Sequence, residues 1–380
     1  MLLGNYHGAR MGICFCSRVI PGYQYILDYA DAYQQFLFLG GVCLQASIVM
    51  VDGSSMLNAC FFATMPRSYF AARKPRERFR AMARAMHSPS GQMVNGVHML
   101  LSLLFNLIGK ARPTHMVVAW DISRETFRRD LYPDYKANRG ARLPEVQGQI
   151  GLMRRVLGEL GIFQSDAEGY EADDVIATLV HCFAKHDVCV YSRDADLLQV
   201  VAPSVRVWLH NKNAAEMYME YLGITPPEHM LAETFGYNEE LVERIHGLSP
   251  ALLPDMKALS GDKSNNVPGL RRVGTKTATK VVKVFGSIER MYGMLDALSY
   301  ENQVAEFKKH GLTVSLLDQV LDKRQDIFMY KKLTLLCRDV PLGLSLRDMR
   351  LPRFDLPPLI FSELGFNLEL PRCDVQQVLF

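Results

Sequence analysis

No apolar run in this sequence reaches the roughly 18 residues that a membrane span requires, so a membrane protein is not expected. No CxxC pair occurs among its 8 cysteines. Cys14 and Cys16 alone are too few for a ligand set, so buried thiols of an intracellular protein are expected rather than a disulfide framework or a zinc site. An excess of one charge is missing too: 43 Lys and Arg face 40 Asp and Glu, a net charge of +3. Any case for a polyanionic partner must therefore come from where the charges lie. The first 47 residues lack the order of a signal peptide, because Arg10, Arg18, Asp28 and Asp31 are scattered and the apolar stretch Phe36 to Leu44 is broken by Gly40-Gly41. They read as an N-terminal extension of unknown role.

What is present is a chain of 380 residues, 49% hydrophobic, long enough for about two domains. Short β-type runs end in aspartate. Ile48 to Val51 stops at Asp52, Met116 to Trp120 stops at Asp121, and Val188 to Tyr191 leads to Asp194 and Asp196. Val205 to Leu209 reads as a fourth strand, and helical spacing fills Val94 to Ile108 and Val146 to Leu160. Strands alternating with helices imply a parallel α/β sheet, whose sites lie beyond the carboxyl ends of its strands. Past residue 220 short helices are expected at Pro226 to Phe235, Glu239 to Ile245 and Pro254 to Leu259.

Glu171-Ala172-Asp173-Asp174 opens another helix, with Ile176, Leu179, Val180 and Phe183 as its buried stripe. Asp173 lies three residues before Ile176 and seven before Val180, which puts it on the sheet side, while Glu171 and Asp174 share a flank. A carboxylate facing inward is costly unless it is paired or binds a cation, so Asp173 is the first choice of metal ligand in the run. Asp262 adds a carboxylate from the Gly-containing turn Gly261 to Gly269. Together, Asp52, Asp121, Glu171, Asp173, Asp174, Asp194, Asp196 and Asp262 form a set of hard oxygen donors suited to one or two Mg²⁺ or Mn²⁺ ions. Two such ions close together serve phosphodiester or phosphoryl chemistry.

Two basic stretches interleave charge with aromatics. Arg67, Arg73, Lys74, Arg76, Arg78, Arg80 and Arg84 accompany Tyr69, Phe70 and Phe79, and Thr126 to Arg139 is similar. For the first, a solvated helix or loop explains the charges as well as contact with nucleic-acid phosphates does. The turn before Thr275 feeds a helix N-terminus with Lys276 and Thr277, a phosphate-binding geometry, although GxxxxGK[ST] is not matched.

From about Ile48 to about Phe366 the sequence resembles the structure-specific 5′ nucleases, the flap endonucleases and 5′→3′ exonucleases found in phages and at the N-terminus of bacterial DNA polymerases. The motifs that carry the resemblance are Val51 to Ser55, Val118 to Asp121, Thr126 to Arg128, Tyr135 to Arg139, Glu171 to Asp174, Asp194 to Gln199 and Gly261 to Ser264, in the family's order. The resemblance implies a PIN-like parallel sheet flanked by helices in 48–220. It implies a small helical domain in 221–366 with a helix-hairpin-helix, or helix-three-turn-helix, DNA-binding element, and leaves 367–380 as a tail. Asp52, Asp121, Glu171 and Asp173 would form a first metal site with Asp174 close by; Asp194, Asp196 and Asp262 would form a second. Lys136 would meet the scissile phosphate at the base of a helical arch, assisted by Arg128. Arg139, Gly269, Arg272, Gly274, Lys276 and Thr277 would contact DNA, with K⁺ at the hairpin.

The implied activity is metal-dependent hydrolysis of DNA with a free or flapped 5′ end, by a stand-alone, monomeric nuclease that leaves 5′-phosphate and 3′-hydroxyl ends. Two positions depart from the family pattern: Asn265 stands where a second-site carboxylate is usual, and Arg272 where the hairpin's first glycine is usual. They motivate a competing expectation, a branched-DNA-binding protein that cleaves little. A PIN-type ribonuclease is the third.

Overall fold

The computed structural model describes residues 47–371, so the expectations for 1–46 and for 372–380 lie outside the described residues. The fold grows from β1 (Ser47–Asp52), whose Ile48 to Val51 are fully buried. β2 (His115–Ala119), β3 (Phe163–Ser165), β4 (Asp187–Ser192), β5 (Val205–His210) and β6 (Thr234–Tyr237) complete one sheet in the order β3-β2-β1-β4-β5-β6. β1 to β5 pair in parallel. Such strands are covered on both faces, which is why their sequences are nearly continuous apolar runs.

The order reverses between β1 and β4, because the chain leaves β1 towards β2 and β3 and returns on the other side. That is the switch point of an open parallel sheet, where the following loops diverge and leave a crevice. Asp52 at the end of β1 and Asp194 just after β4 stand at this crevice.

Helix α1 (Gly53–Ala63) starts without a loop, with Asp52 as its N-cap. The junction is tight: a Cβ on Gly53 would lie 2.6 Å from Val118 Cγ1 and 2.9 Å from Trp120 Cζ3. Helix α2 (Asn95–Ala111) is fixed at its start by buried Gln149, whose Oε1 accepts from the amides of Gly96 and Val97 and whose Nε2 donates to Asn95. These bonds satisfy donors that a helix start leaves unpaired.

Pro226 to Phe235 is not a helix. The Pro226-Pro227 pair removes amide donors, and Thr234 to Tyr237 instead forms the antiparallel edge strand on β5. β3 also went unread, since three residues are too few to show periodicity. The helical half contains α4 (Leu253–Ser260), α5 (Thr275–Phe285) and α6 (Arg324–Thr334), among others. It shares one continuous apolar core with the sheet, to which Leu198, Leu259 and Leu333 all belong. No helix of the described residues is long and apolar enough to cross a membrane.

Because no side chain fits between α1 and β2, Gly53→Ala should cost about 1–3 kcal/mol of stability through overpacking. Urea unfolding monitored by circular dichroism would measure the loss, and an unchanged midpoint would contradict the close packing.

Candidate functional site

The carboxylates gather at the β1/β4 crevice, and their hydrogen bonds divide them into groups. Asp52 accepts from the Ser55 amide at 3.0 Å and from the Ser192 hydroxyl at 2.8 Å. Ser192 Oγ also accepts from the Asp194 amide at 3.0 Å, so one hydroxyl ties the ends of β1 and β4 together. Asp121 accepts from the Ala172 amide at 2.8 Å and thereby docks the start of α3 (Ala172–Cys182) against the end of β2. Its other oxygen is 3.7 Å from the Arg142 guanidinium.

Asp173 is different, because its buried Oδ1 has no hydrogen-bond partner. Burial, then the charges of Asp194 and Asp52, push the Asp173 carboxyl well above the usual carboxylate range. Burial and then Asp121 push Asp52 up to about 7. An orphaned buried acceptor facing further carboxylates is the environment that a cation relieves, and the oxygen donor set fits a hard divalent ion. The fit is one of chemistry; among the described residues no three His, Cys, Asp or Glu side chains converge as a ready-made ligand group.

Glu171 meets cations of the chain itself. Its Oε1 accepts from Lys136 Nζ at 2.5 Å and its Oε2 from Tyr135 Oη at 3.1 Å and from Arg128 at 3.3 Å. Burial alone would raise its carboxyl, but Lys136 and Arg128 outweigh that and hold it below its usual value.

Two assignments change here. Asp174 is 0% exposed and Arg128 1%, and they form a two-pronged pair at 2.6 and 2.7 Å. Asp174 also accepts from the amides of Glu171 and Cys337, and Arg128 donates to the carbonyls of Leu333 and Leu335. Both groups are saturated in the interior, so Asp174 has no lone pair directed to an ion and Arg128 does not reach a phosphate. They pin α3 and the end of α6 together behind the site.

Lys136 sits at the rim with a left-handed φ of 54°, its amide donating to the Asn265 carbonyl at 3.0 Å. The same motif docks onto the Asp262 turn through Asn138 to the Lys263 carbonyl and Arg139 to the Ser264 carbonyl and Asn265 Oδ1. Arg139, which is itself exposed, thereby braces this turn.

Asp196 and Asp262 form a separate group around a residue that the sequence did not single out, Lys257 of α4. Its ammonium bonds both carboxylates, at 2.9 Å to Asp262. Burial raises the Asp196 carboxyl despite Lys257; for Asp262, burial is outweighed by Lys257 and Ser264, and the carboxyl falls below its usual value. Nothing in the local sequence marks Lys257, since a lysine in a short helix is ordinarily solvated.

Gly269 is closely packed on one side: a Cβ there would lie 2.1 Å from the Gly261 amide nitrogen. Arg272 adopts the left-handed turn conformation, φ 62°, that glycine takes without strain. Arg272, Gly274 and Lys276 are exposed and Thr277 is half-buried at the start of α5.

The family model for the 5'-3' exonuclease N-terminal resolvase-like domain matches residues 47–225, and that for the 5'-3' exonuclease C-terminal SAM fold matches residues 248–356. The chain belongs to the 5′-3′ exonuclease family. A 5'-3' exonuclease of Bacillus subtilis is 34% identical over 302 residues, covering 79% of this chain and 86% of that protein. DNA polymerase I of Bacillus caldotenax is 31% identical over 335 residues, 87% of this chain, and this chain spans only 33% of that relative's length. Among solved structures, T5 5'-exonuclease with bound zinc has a TM-score of 0.52 at 16% identity, covering 76% of this chain and 89% of that one. That likeness bears on the fold: a mostly parallel sheet flanked by helices, followed by a helical domain.

Removing Arg128 tests the buried pair. Arg128→Met should cost about 3–5 kcal/mol because Asp174 is left charged and unpaired, and urea unfolding would report it; a loss below 1 kcal/mol would place the pair in solvent. A second prediction concerns pH. The Asp52 carboxyl rises from 3.8 to about 7 on folding, so its contribution stabilises the protein at acid pH and is lost as pH climbs through 7. In EDTA, the melting temperature should fall between about pH 5 and pH 8; a flat or rising profile there would contradict the buried carboxyl.

Proposed function

We propose that this chain is a divalent-metal-dependent 5′→3′ exonuclease and flap endonuclease that hydrolyses phosphodiester bonds in DNA with a free or flapped 5′ end. The observation that carries the proposal is the unpartnered Oδ1 of Asp173, buried beside Asp52 and Asp121 at the sheet's switch point. Asp52, Asp121 and Asp173, with Glu171 at the edge, would hold Mg²⁺ or Mn²⁺. A bound divalent ion supplies Lewis acidity and charge neutralisation for phosphodiester hydrolysis.

The chain's own groups do the rest. Lys136, clamped between Glu171 and the Asp262 turn, presents a positive charge at the rim where a phosphate enters. Asp121 orients α3 so that its N-terminus and Asp173 face the same crevice. The exposed arginines of 67–84, with Phe70 62% and Phe79 72% exposed among them, offer phosphate contacts and stacking surfaces to a single strand. Arg272, Lys276 and the start of α5 face the duplex backbone, with K⁺ at the preceding turn as the accompanying cation. The active unit in this reading is a monomer working inside the cell.

A labelled 5′-flap DNA and a single-stranded RNA, each incubated with Mg²⁺ or Mn²⁺, test the proposal. Flap cleavage leaving 5′-phosphate and 3′-hydroxyl ends is expected, and Asp52→Ala should lose more than roughly 100-fold in rate while retaining flap binding in a gel-shift assay. Binding without cleavage in either metal would sink the nuclease reading in favour of a branched-DNA-binding protein. Preferential cutting of RNA would replace DNA with RNA as the substrate.

A further inference from the structure

The two sides of the acidic crevice differ in what their carboxylate oxygens already hold. On the Asp52 side, Asp173 keeps a buried oxygen with no partner. On the other side both oxygens of Asp196 and both of Asp262 are engaged, and Asp194 Oδ1 accepts from the Asp196 amide at 2.9 Å. Asp196 Oδ1 accepts from Lys257 Nζ and its Oδ2 from Asn265 Nδ2 at 2.9 Å. Asp262 Oδ1 accepts from the amide and hydroxyl of Ser264 and from the Asn265 amide; its Oδ2 accepts from Lys257 Nζ at 2.9 Å and from Asn265 Nδ2 at 3.3 Å. Asn265 is thus a donor to both acids where a carboxylate would be a third negative charge.

Lys257 is held in place by its helix. Asp255, in the same helix and almost fully buried, accepts from the Ile288 amide at 2.8 Å and from Lys331 at 2.7 Å, and the Pro254 carbonyl accepts from Thr334 at 3.1 Å. The Lys257 side chain is only 24% exposed, and Asp196 and Asp262 are 10% and 7% exposed. A divalent ion entering between these acids would displace charged hydrogen bonds in a largely dry pocket and then face the ammonium at close range.

We propose that the Lys257 ammonium, with Asn265, permanently replaces a second divalent ion, so that this chain takes one ion, on the Asp52, Asp121 and Asp173 side. This deepens the nuclease reading above and rests on it for the identity of the first site. The second group of carboxylates then acts as a fixed salt-bridged wall, and Lys257 supplies the positive charge on that side of the crevice.

Counting ions on the full chain tests the proposal. Titration with Mn²⁺, following the free ion by electron paramagnetic resonance, should show one ion bound per chain. The double variant Lys257→Met/Asn265→Asp should bind two and show the spin-coupled spectrum of a manganese pair. Lys257→Met alone should melt several degrees lower in EDTA and regain more from Mn²⁺ than the unaltered chain does, because an ion then takes the ammonium's place. Two ions on the unaltered chain would overturn the inference and leave the nuclease reading intact. One ion together with no cleavage of flap DNA would support the inference and overturn the nuclease reading. A double variant that is folded by circular dichroism yet still binds one ion would overturn the role given to Lys257 and Asn265.

Discussion

Mutual repulsion among carboxylates is the constraint around which this molecule is built. Two like charges about 4 Å apart at an effective dielectric near 20 repel by about 4 kcal/mol. A handful of unrelieved pairs would therefore cancel the ~5–15 kcal/mol by which a domain is stable. The fold relieves them by separating the acids and giving each group its own counter-charge. Arg128 neutralises Asp174 inside the protein, Lys136 takes Glu171 at the rim, and Lys257 bridges Asp196 and Asp262. The Asp52 and Asp173 carboxyls have no such counter-charge bonded to them, and burial and their acidic neighbours push both upward.

Those counter-charges also join the two halves of the chain. Arg128 follows β2, yet its partners include the carbonyls of Leu333 and Leu335 at the end of α6. Gln199, just after β4, donates to the Thr334 carbonyl and accepts from the Leu336 amide. Arg139 and Asn138 fasten the rim to the Asp262 turn. The crevice is thus shaped by contacts between segments more than a hundred residues apart. A change in the helical half can be felt at the acids without touching them.

Much of the sheet was legible because parallel strands are buried on both faces and write themselves as apolar runs ending in the residue that faces the crevice. Asp52, Asp121 and Asp194 were found that way, by position rather than by charge. β3 and β6 were not, since the first is three residues long and the second owes its form to pairing with β5. In α3, helical periodicity assigned Asp173 to the sheet side, but it could not reveal that residues 337–340 cover the flank that carries Asp174. Thr178 on that helix donates to the Cys337 carbonyl and accepts from the Val340 amide. A helix covered on two sides has no solvated flank, and there a buried acid needs a buried base. Arg128 had to be that base, and no local pattern distinguishes it from an arginine waiting for a phosphate.

Asn265 looked, from sequence, like a loss: one carboxylate fewer for a second ion. Beside Lys257 it has a different meaning. An aspartate at 265 would put a third negative charge next to Asp196 and Asp262, which already outnumber the single Lys257 ammonium. An asparagine adds no charge and supplies Nδ2 donors to both acids, so that one net negative charge rather than two remains beside the lysine. The asparagine and the lysine are therefore complementary, each accounting for the other's presence, and together they turn a group of acids that would otherwise demand a cation from solution into one that carries its own.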